Sequence, residues 1–129
     1  MNVVGIGVDI IEVARIRASL ERHGERFHAR ICTAGEAEYC QRMRDPAPFF
    51  AARFAAKEAV SKAFGTGIGS ACEWKDIEVR RKASGEPFIV LHGAAAETVK
   101  RLGIGQVLIS LSHTEHYACA HAVAVGTPA

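Results

Sequence analysis

Phe54-Ala55-Ala56-Lys57-Glu58-Ala59-Val60-Ser61-Lys62 is the middle of the longest helical pattern in this 129-residue chain. Ala52, Ala55, Ala56, Ala59, Val60 and Ala63 recur at helical spacing and predict a packed side, leaving Arg53, Lys57, Glu58, Ser61 and Lys62 for an open side. On that open side Glu58 and Lys62 stand one turn apart. A carboxylate beside an ammonium can hold a metal ion next to a phosphate, or it can be an ordinary exposed ion pair worth a few tenths of a kcal/mol, roughly. Taken alone, the nonapeptide reads as the ion pair, because exposed Glu to Lys pairs are common on helices.

A second carboxylate bears on that choice. Val3-Val4-Gly5-Ile6-Gly7-Val8-Asp9-Ile10-Ile11 is apolar and β-branched enough for a buried first strand, Val3 to Ile10, yet it contains Asp9. A carboxylate inside such a strand must be paired, hydrogen-bonded or metal-bound. The alternative is an N-cap for the helix that follows, from about Glu12 to His23.

Ile6-Gly7-Val8-Asp9 followed in mid-chain by Phe54 to Lys62 resembles the two signature motifs of the 4'-phosphopantetheinyl transferases. The chain is most similar to their small, single-domain class of holo-[acyl-carrier-protein] synthases, and the likeness continues through Phe64-Gly65-Thr66-Gly67-Ile68-Gly69, Ser112-His113-Thr114 and Tyr117-Ala118. The resemblance implies transfer of the 4'-phosphopantetheine arm of coenzyme A to a serine of an apo acyl carrier protein, releasing adenosine 3',5'-bisphosphate. It implies Mg2+ held by Asp9 and Glu58, with Lys62 on the pyrophosphate, these three forming the catalytic set. Arg53, Lys62, Gly65, His113 and Thr114 are the implied coenzyme contacts, and Arg15, Arg22 and Arg26 the implied docking points for the acidic carrier. It also implies a homotrimer. The larger, pseudo-dimeric class has a further acidic residue two places after the first metal ligand; Ile11 stands there in this chain, which fits the small class.

Composition sets limits consistent with this. At 129 residues with 49% hydrophobic and 23% charged residues and a net charge of +2, the chain reads as one domain spanning residues 1–129 of an ordinary soluble protein. It lacks the basic face of a nucleic-acid binder, an apolar run that could span a bilayer, and a secretory signal pattern. Cys32, Cys40, Cys72 and Cys119 form no CxxC pair and read as reduced thiols of a cytoplasmic protein.

The remaining elements follow from their punctuation. Val13, Ile16 and Leu20 face a core from the first helix, which Gly24 ends, and a short helical piece carries Arg26, Phe27, Arg30 and Ile31. From residue types alone the arginines here are a solvated face, since Glu12, Glu21 and Glu25 interleave with them. Thr33-Ala34-Gly35-Glu36 is a capping box opening a helix to about Arg42. Pro46 and Pro48 predict a break over Arg44–Pro48, with the central helix from about Phe49 to Phe64 and Phe49, Phe50, Phe54 and Phe64 as packing residues. Trp74–Arg81 and Phe88–Leu91 predict a hairpin, Gly93–Leu102 a helix, and Gln106–His113 with Tyr117–Val125 a second hairpin. In its last strand the small residues Ala118, Ala120, Ala122 and Ala124 share a face suited to close approach of another layer, including another subunit. The expected fold is α+β: a mainly antiparallel sheet, made by the two hairpins and the first strand, packed against the long central helix.

Other sites fit poorly. Gly65 to Ser70 lacks the GK[ST] ending of a phosphate loop and follows a helix, although its backbone can still approach a ligand closely. Gly5-Ile6-Gly7 has Ile10 where a dinucleotide fingerprint needs its third glycine. His113 and His116 lack a zinc spacing and a third ligand; His116 reads as a surface histidine and His121 as a packed one. No GxSxG turn supports a serine hydrolase. The alternatives kept are a non-catalytic coenzyme A or anion-binding assembly protein and a magnesium-dependent phosphohydrolase.

Overall fold

Alanine governs how the central helix packs. In the computed structural model, which describes residues 2–128, helix α4 (Ala47–Ala63) lies across a three-stranded sheet with Ala51, Ala52, Ala55, Ala56 and Ala59 at the contact, all at most 2% exposed. The sheet runs in the order β1 (Val3–Glu12), β5 (Tyr117–Gly126), β4 (Ile104–His113), with both pairings antiparallel. Its inner face presents Gly5, Gly7, Asp9 and Ile11 from β1 beside Ala124, Ala122, Ala120 and Ala118 of β5. The approach is so close that a Cβ at Gly7 would fall on the carbonyl oxygen of Ala59, and one at Gly5 on that of Ala63. Only glycine lets β1 and α4 touch backbone to backbone.

The other elements wrap around α4. Helices α1 (Val13–His23), α2 (Glu25–Ile31) and α3 (Ala34–Gln41) precede it; a 3-10 turn at Trp74–Asp76, the hairpin β2 (Ile77–Arg81) with β3 (Pro87–Leu91), and α5 (Gly93–Leu102) follow. The Thr33 capping box is present: Glu36 N–H donates to Thr33 Oγ1 and Thr33 N–H to Glu36 Oε1. The α+β class and antiparallel pairing match the expectation. The five strands, however, divide into a three-stranded and a two-stranded sheet rather than one.

Several expectations need correction. The two prolines do not keep α4 from starting at Ala47: Pro46 is its N-cap residue and Pro48 lies in its first turn, where no intrahelical N–H is required. Trp74–Asp76 is a 3-10 turn, and the strand begins only at Ile77. The alanine face of β5 is covered by this chain's own α4, not left for another subunit. His121 is exposed rather than packed, because it projects from the opposite face of β5. The open side of α4 is also narrower than its pattern suggests: Arg53, Lys57 and Ser61 are at most 1% exposed, because α3 and β2 pack on that side and Ile31 and Trp74 close over Lys57. Asp9 lies within β1, and Glu12 is the N-cap of α1, so Asp9 is no cap.

The buried charges are compensated. Lys57 Nζ donates to Ile31 O at 2.6 Å, Glu36 Oε1 at 2.7 Å and Trp74 O at 3.0 Å, using its three donors. Glu36 Oε2 accepts from Val79 N–H at 2.9 Å. One ion pair thus ties the end of α2, the start of α3, the 3-10 turn and β2 to α4.

Candidate active site

At the crossing of α4 and β1, Lys62 Nζ lies 3.2 Å from Asp9 Oδ1 and donates to Val8 O at 3.0 Å. Glu58 projects one turn before Lys62 on the same stripe of α4. Burial raises the Glu58 carboxyl above its ordinary range, and the negative charge of Asp9 raises it further, while Lys62 pulls it down. The sequence-predicted trio Asp9, Glu58 and Lys62 is therefore brought together: two carboxylates on facing elements with one exposed ammonium beside them. Among the described residues no group of three or more His, Cys, Asp and Glu is gathered as a metal cage. Two hard carboxylates beside open space suit an ion that takes its remaining oxygens from water and a phosphate-bearing ligand, as Mg2+ does.

A second cluster forms at the other edge of the sheet. His113, the last residue of β4, packs its ring edge-on against Phe49 of α4 at 4.9 Å between centroids, and Phe49 meets Tyr39 at 6.3 Å. Arg53 lies over the Tyr39 ring at 4.4 Å, with Arg81 5.6 Å from the same ring. Arg53 is buried, yet its Nε and one terminal nitrogen have no hydrogen-bond partner among the described residues. Beside it is a cavity of about 360 Å³ lined by Tyr39, Arg42, Arg53, Glu78, Arg80 and Arg81, among others. An unpaired guanidinium facing such a space is an anion receptor in its chemistry. Arg42, Arg80 and Arg81 escaped the sequence reading, because arginines on a helix end and a hairpin carry no spacing signal.

Thr114 Oγ1 accepts N–H bonds from His116 and Tyr117, which shapes the β4–β5 turn. Gly65, at φ +77°, ends α4 in a conformation that favours glycine and is exposed next to the Lys62 turn. Arg15 on α1, Arg22 on α1 and Arg26 on α2 are exposed and enter no ion pair among the described residues, whereas Arg17 is held by Asp45 through two bonds of 2.7 and 3.0 Å.

Asp9 and His113 thus sit on opposite edge strands, β1 and β4, with β5 between them and the buried alanines of α4 packed above. Comparison with known proteins resolves the kinship. The sequence profile of the 4'-phosphopantetheinyl transferase superfamily matches residues 5–122. The chain belongs to the 4'-phosphopantetheinyl transferase superfamily.

Within that superfamily, the chain is 50% identical over 125 residues to a holo-[acyl-carrier-protein] synthase of Chlamydia felis, covering 97% of this chain and 99% of the relative. Its structure is similar to that of the holo-[acyl-carrier-protein] synthase of Neisseria meningitidis, with a TM-score of 0.90 at 35% identity over 96% of this chain and 99% of the other. It is also similar to the Helicobacter pylori synthase in complex with coenzyme A, with a TM-score of 0.83 at 31% identity over 93% and 99% of the two chains.

Proposed function

We propose that this protein transfers the 4'-phosphopantetheine arm of coenzyme A to a serine hydroxyl of an apo acyl carrier protein, releasing adenosine 3',5'-bisphosphate. Superfamily membership and the named synthases of near-equal length support the reaction class. The single observation that carries the site is the convergence of Asp9, Glu58 and Lys62 at the open end of the α4–β1 crossing.

Asp9 and Glu58 would hold Mg2+: both are hard oxygen donors, and a bound cation would offset the burial and the Asp9 charge that raise the Glu58 carboxyl. When bound, the ion supplies polarisation of the phosphate under attack and neutralises charge on the leaving group. Lys62, on a half-exposed side chain, exchanges Asp9 for a pyrophosphate oxygen and fixes the diphosphate beside the incoming serine. Arg53 and His113 hold the coenzyme's remaining phosphate, with the Thr114 turn and the Gly65 backbone completing the contacts. Arg15, Arg22 and Arg26 receive the acidic carrier, steering encounter and setting register.

We further propose that residues 1–129 act as one domain of a cytoplasmic homotrimer. Asp9 on β1 and His113 on β4 lie on different edge strands, roughly 10 Å apart across two strand spacings, so that each coenzyme contact set stands at a separate edge of the sheet. The other face of the sheet leaves Ile6 and Ile10 71% and 67% exposed, which suits contact between copies. Free, mostly buried cysteines support a reducing compartment, and no helix among the described residues is long and apolar enough to cross a membrane. The non-catalytic coenzyme-binding alternative is not favoured, since a binder needs no acidic pair facing Lys62.

Intact-protein mass spectrometry of an apo acyl carrier protein, incubated with this protein, coenzyme A and Mg2+, tests the reading. The expected result is a mass gain of one phosphopantetheine that EDTA abolishes. No gain on any carrier tried, with coenzyme A binding retained, would overturn it.

A further inference from the structure

The outer face of the three-stranded sheet is apolar across all three strands, with Ile6, Val8 and Ile10 on β1, Val123 on β5 and Leu108 on β4. His121 stands in its middle. It lies on the central strand, opposite Val8 on one side and Ser110 on the other, with Cys119 and Val123 two residues before and after it. Among the described residues no carboxylate faces it. The outward residues of β4 are Gln106, Leu108, Ser110 and Ser112, those of β5 add only Tyr117 and Cys119 as titratable groups, and on β1 Glu12 lies at the far end opposite Tyr117. Asp9 faces α4 on the other side of the sheet. Among the described residues the charge at hand is like in sign to a protonated imidazole: Lys62 of α4 lines the same cavity as His121, with Ile6, Val8 and Val123.

We propose that His121 makes the association of copies of this chain pH-dependent, with the neutral imidazole permitting the trimer and the protonated one opposing it. This rests on the homotrimer reading. A second copy is the occupant that fits. An acidic carrier needs basic groups, and this face has none along β1 from Val3 to Ile10, whereas a copy brings the same uncharged apolar residues.

Burial in that contact removes water from the imidazole and offers no acidic partner, so assembly favours the neutral form. The sign follows. Association is at full strength above the ordinary histidine range and weakens as pH falls through it. Each His121 that must shed its proton to assemble weakens association by up to about tenfold per pH unit below that range. Three in a trimer compound to about a thousandfold per unit.

Sedimentation velocity over a dilution series, at pH 8.0 and pH 5.5, measures this on the wild-type chain and on His121→Gln, with circular dichroism at each pH as a check on folding. The expected result is a wild-type trimer at pH 8.0 that dissociates at far higher concentration at pH 5.5, while His121→Gln, which cannot take up a proton, keeps nearly the same association constant at both. Equal wild-type constants at the two pH values, or a His121→Gln variant that weakens as the wild type does, overturns the proposal while leaving the trimer intact. A wild-type monomer at both pH values overturns the homotrimer reading itself, and this inference with it.

Discussion

Glu58 carries a charge that its partly buried place beside Asp9 disfavours. Its carboxyl titrates above the ordinary 4.5 because it is partly buried and stands near Asp9, so its contribution to stability is largest below that value and is lost as pH rises through the higher folded value. At pH 7, without metal, the ionised group therefore strains the crossing of α4 and β1. Glu58→Gln should raise the melting temperature in EDTA at pH 7, and the gain should shrink as pH falls below the ordinary carboxylate range, where the wild-type group takes up its proton in both states. The same variant should lose phosphopantetheine transfer by at least about a hundredfold, since a ligand to the proposed ion is gone. Calorimetry alongside the transfer assay checks both, and a Glu58→Gln protein that is active or less stable at pH 7 contradicts the assignment. Lys57 is the opposite case. Its ammonium is fully enclosed with Glu36, and Lys57→Met leaves that carboxylate buried without its counter-charge. The expected cost is about 3–5 kcal/mol, read from urea unfolding; a loss under about 1 kcal/mol would mean that the pair contributes nothing net.

At the scale of elements, the backbone contact of β1 with α4 sets the distance between Asp9 and the Glu58 stripe. Gly7→Ala places a methyl group on the Ala59 carbonyl, which must move a helix rather than a side chain. That variant should be destabilised by about 3 kcal/mol or more and should lose transfer activity even where it stays folded, whereas an Ala at exposed Gly69, where a Cβ meets nothing, should be close to neutral. Thermal melts of the two variants separate close approach from a general glycine effect. The docking arginines belong to this scale as well. Arg15→Glu should raise the carrier KM by roughly tenfold with kcat little changed, and the effect should shrink in high salt. An unchanged KM at low salt would remove α1 from the docking surface. Helix ends were readable in the sequence because Thr33, Gly24 and Gly103 mark them chemically. The burial of Arg53 and Lys57 was not. Helical periodicity identifies the face that meets the sheet, but carries no sign that a second layer covers the charged side. The same limit misplaced His121: alternation assigns two faces to β5 without saying which one α4 takes.

For the whole molecule, the cysteines supply a probe of assembly that is independent of activity. Burial pushes the Cys32 thiol up to about 12 and those of Cys40 and Cys72 up to about 11, so all three stay protonated and enclosed at neutral pH. Cys119 is different. It is only half-buried and lies on the outer sheet face between Ile10 and Ser112, where a neighbouring copy would cover it. A thiol reagent applied to the native protein should therefore modify Cys119 alone, quickly at protein concentrations low enough to separate the copies and slowly when they are assembled. Peptide mapping after a timed pulse reads the site, and the rate at pH 8 should fall at least tenfold between dilute and concentrated protein. Cys119→Ala should abolish the fast phase without slowing transfer, since no catalytic or coenzyme contact is assigned to it. Fast modification at every concentration would leave the outer face uncovered, and the coenzyme site would then have to be completed within one chain, across the packed alanines of α4.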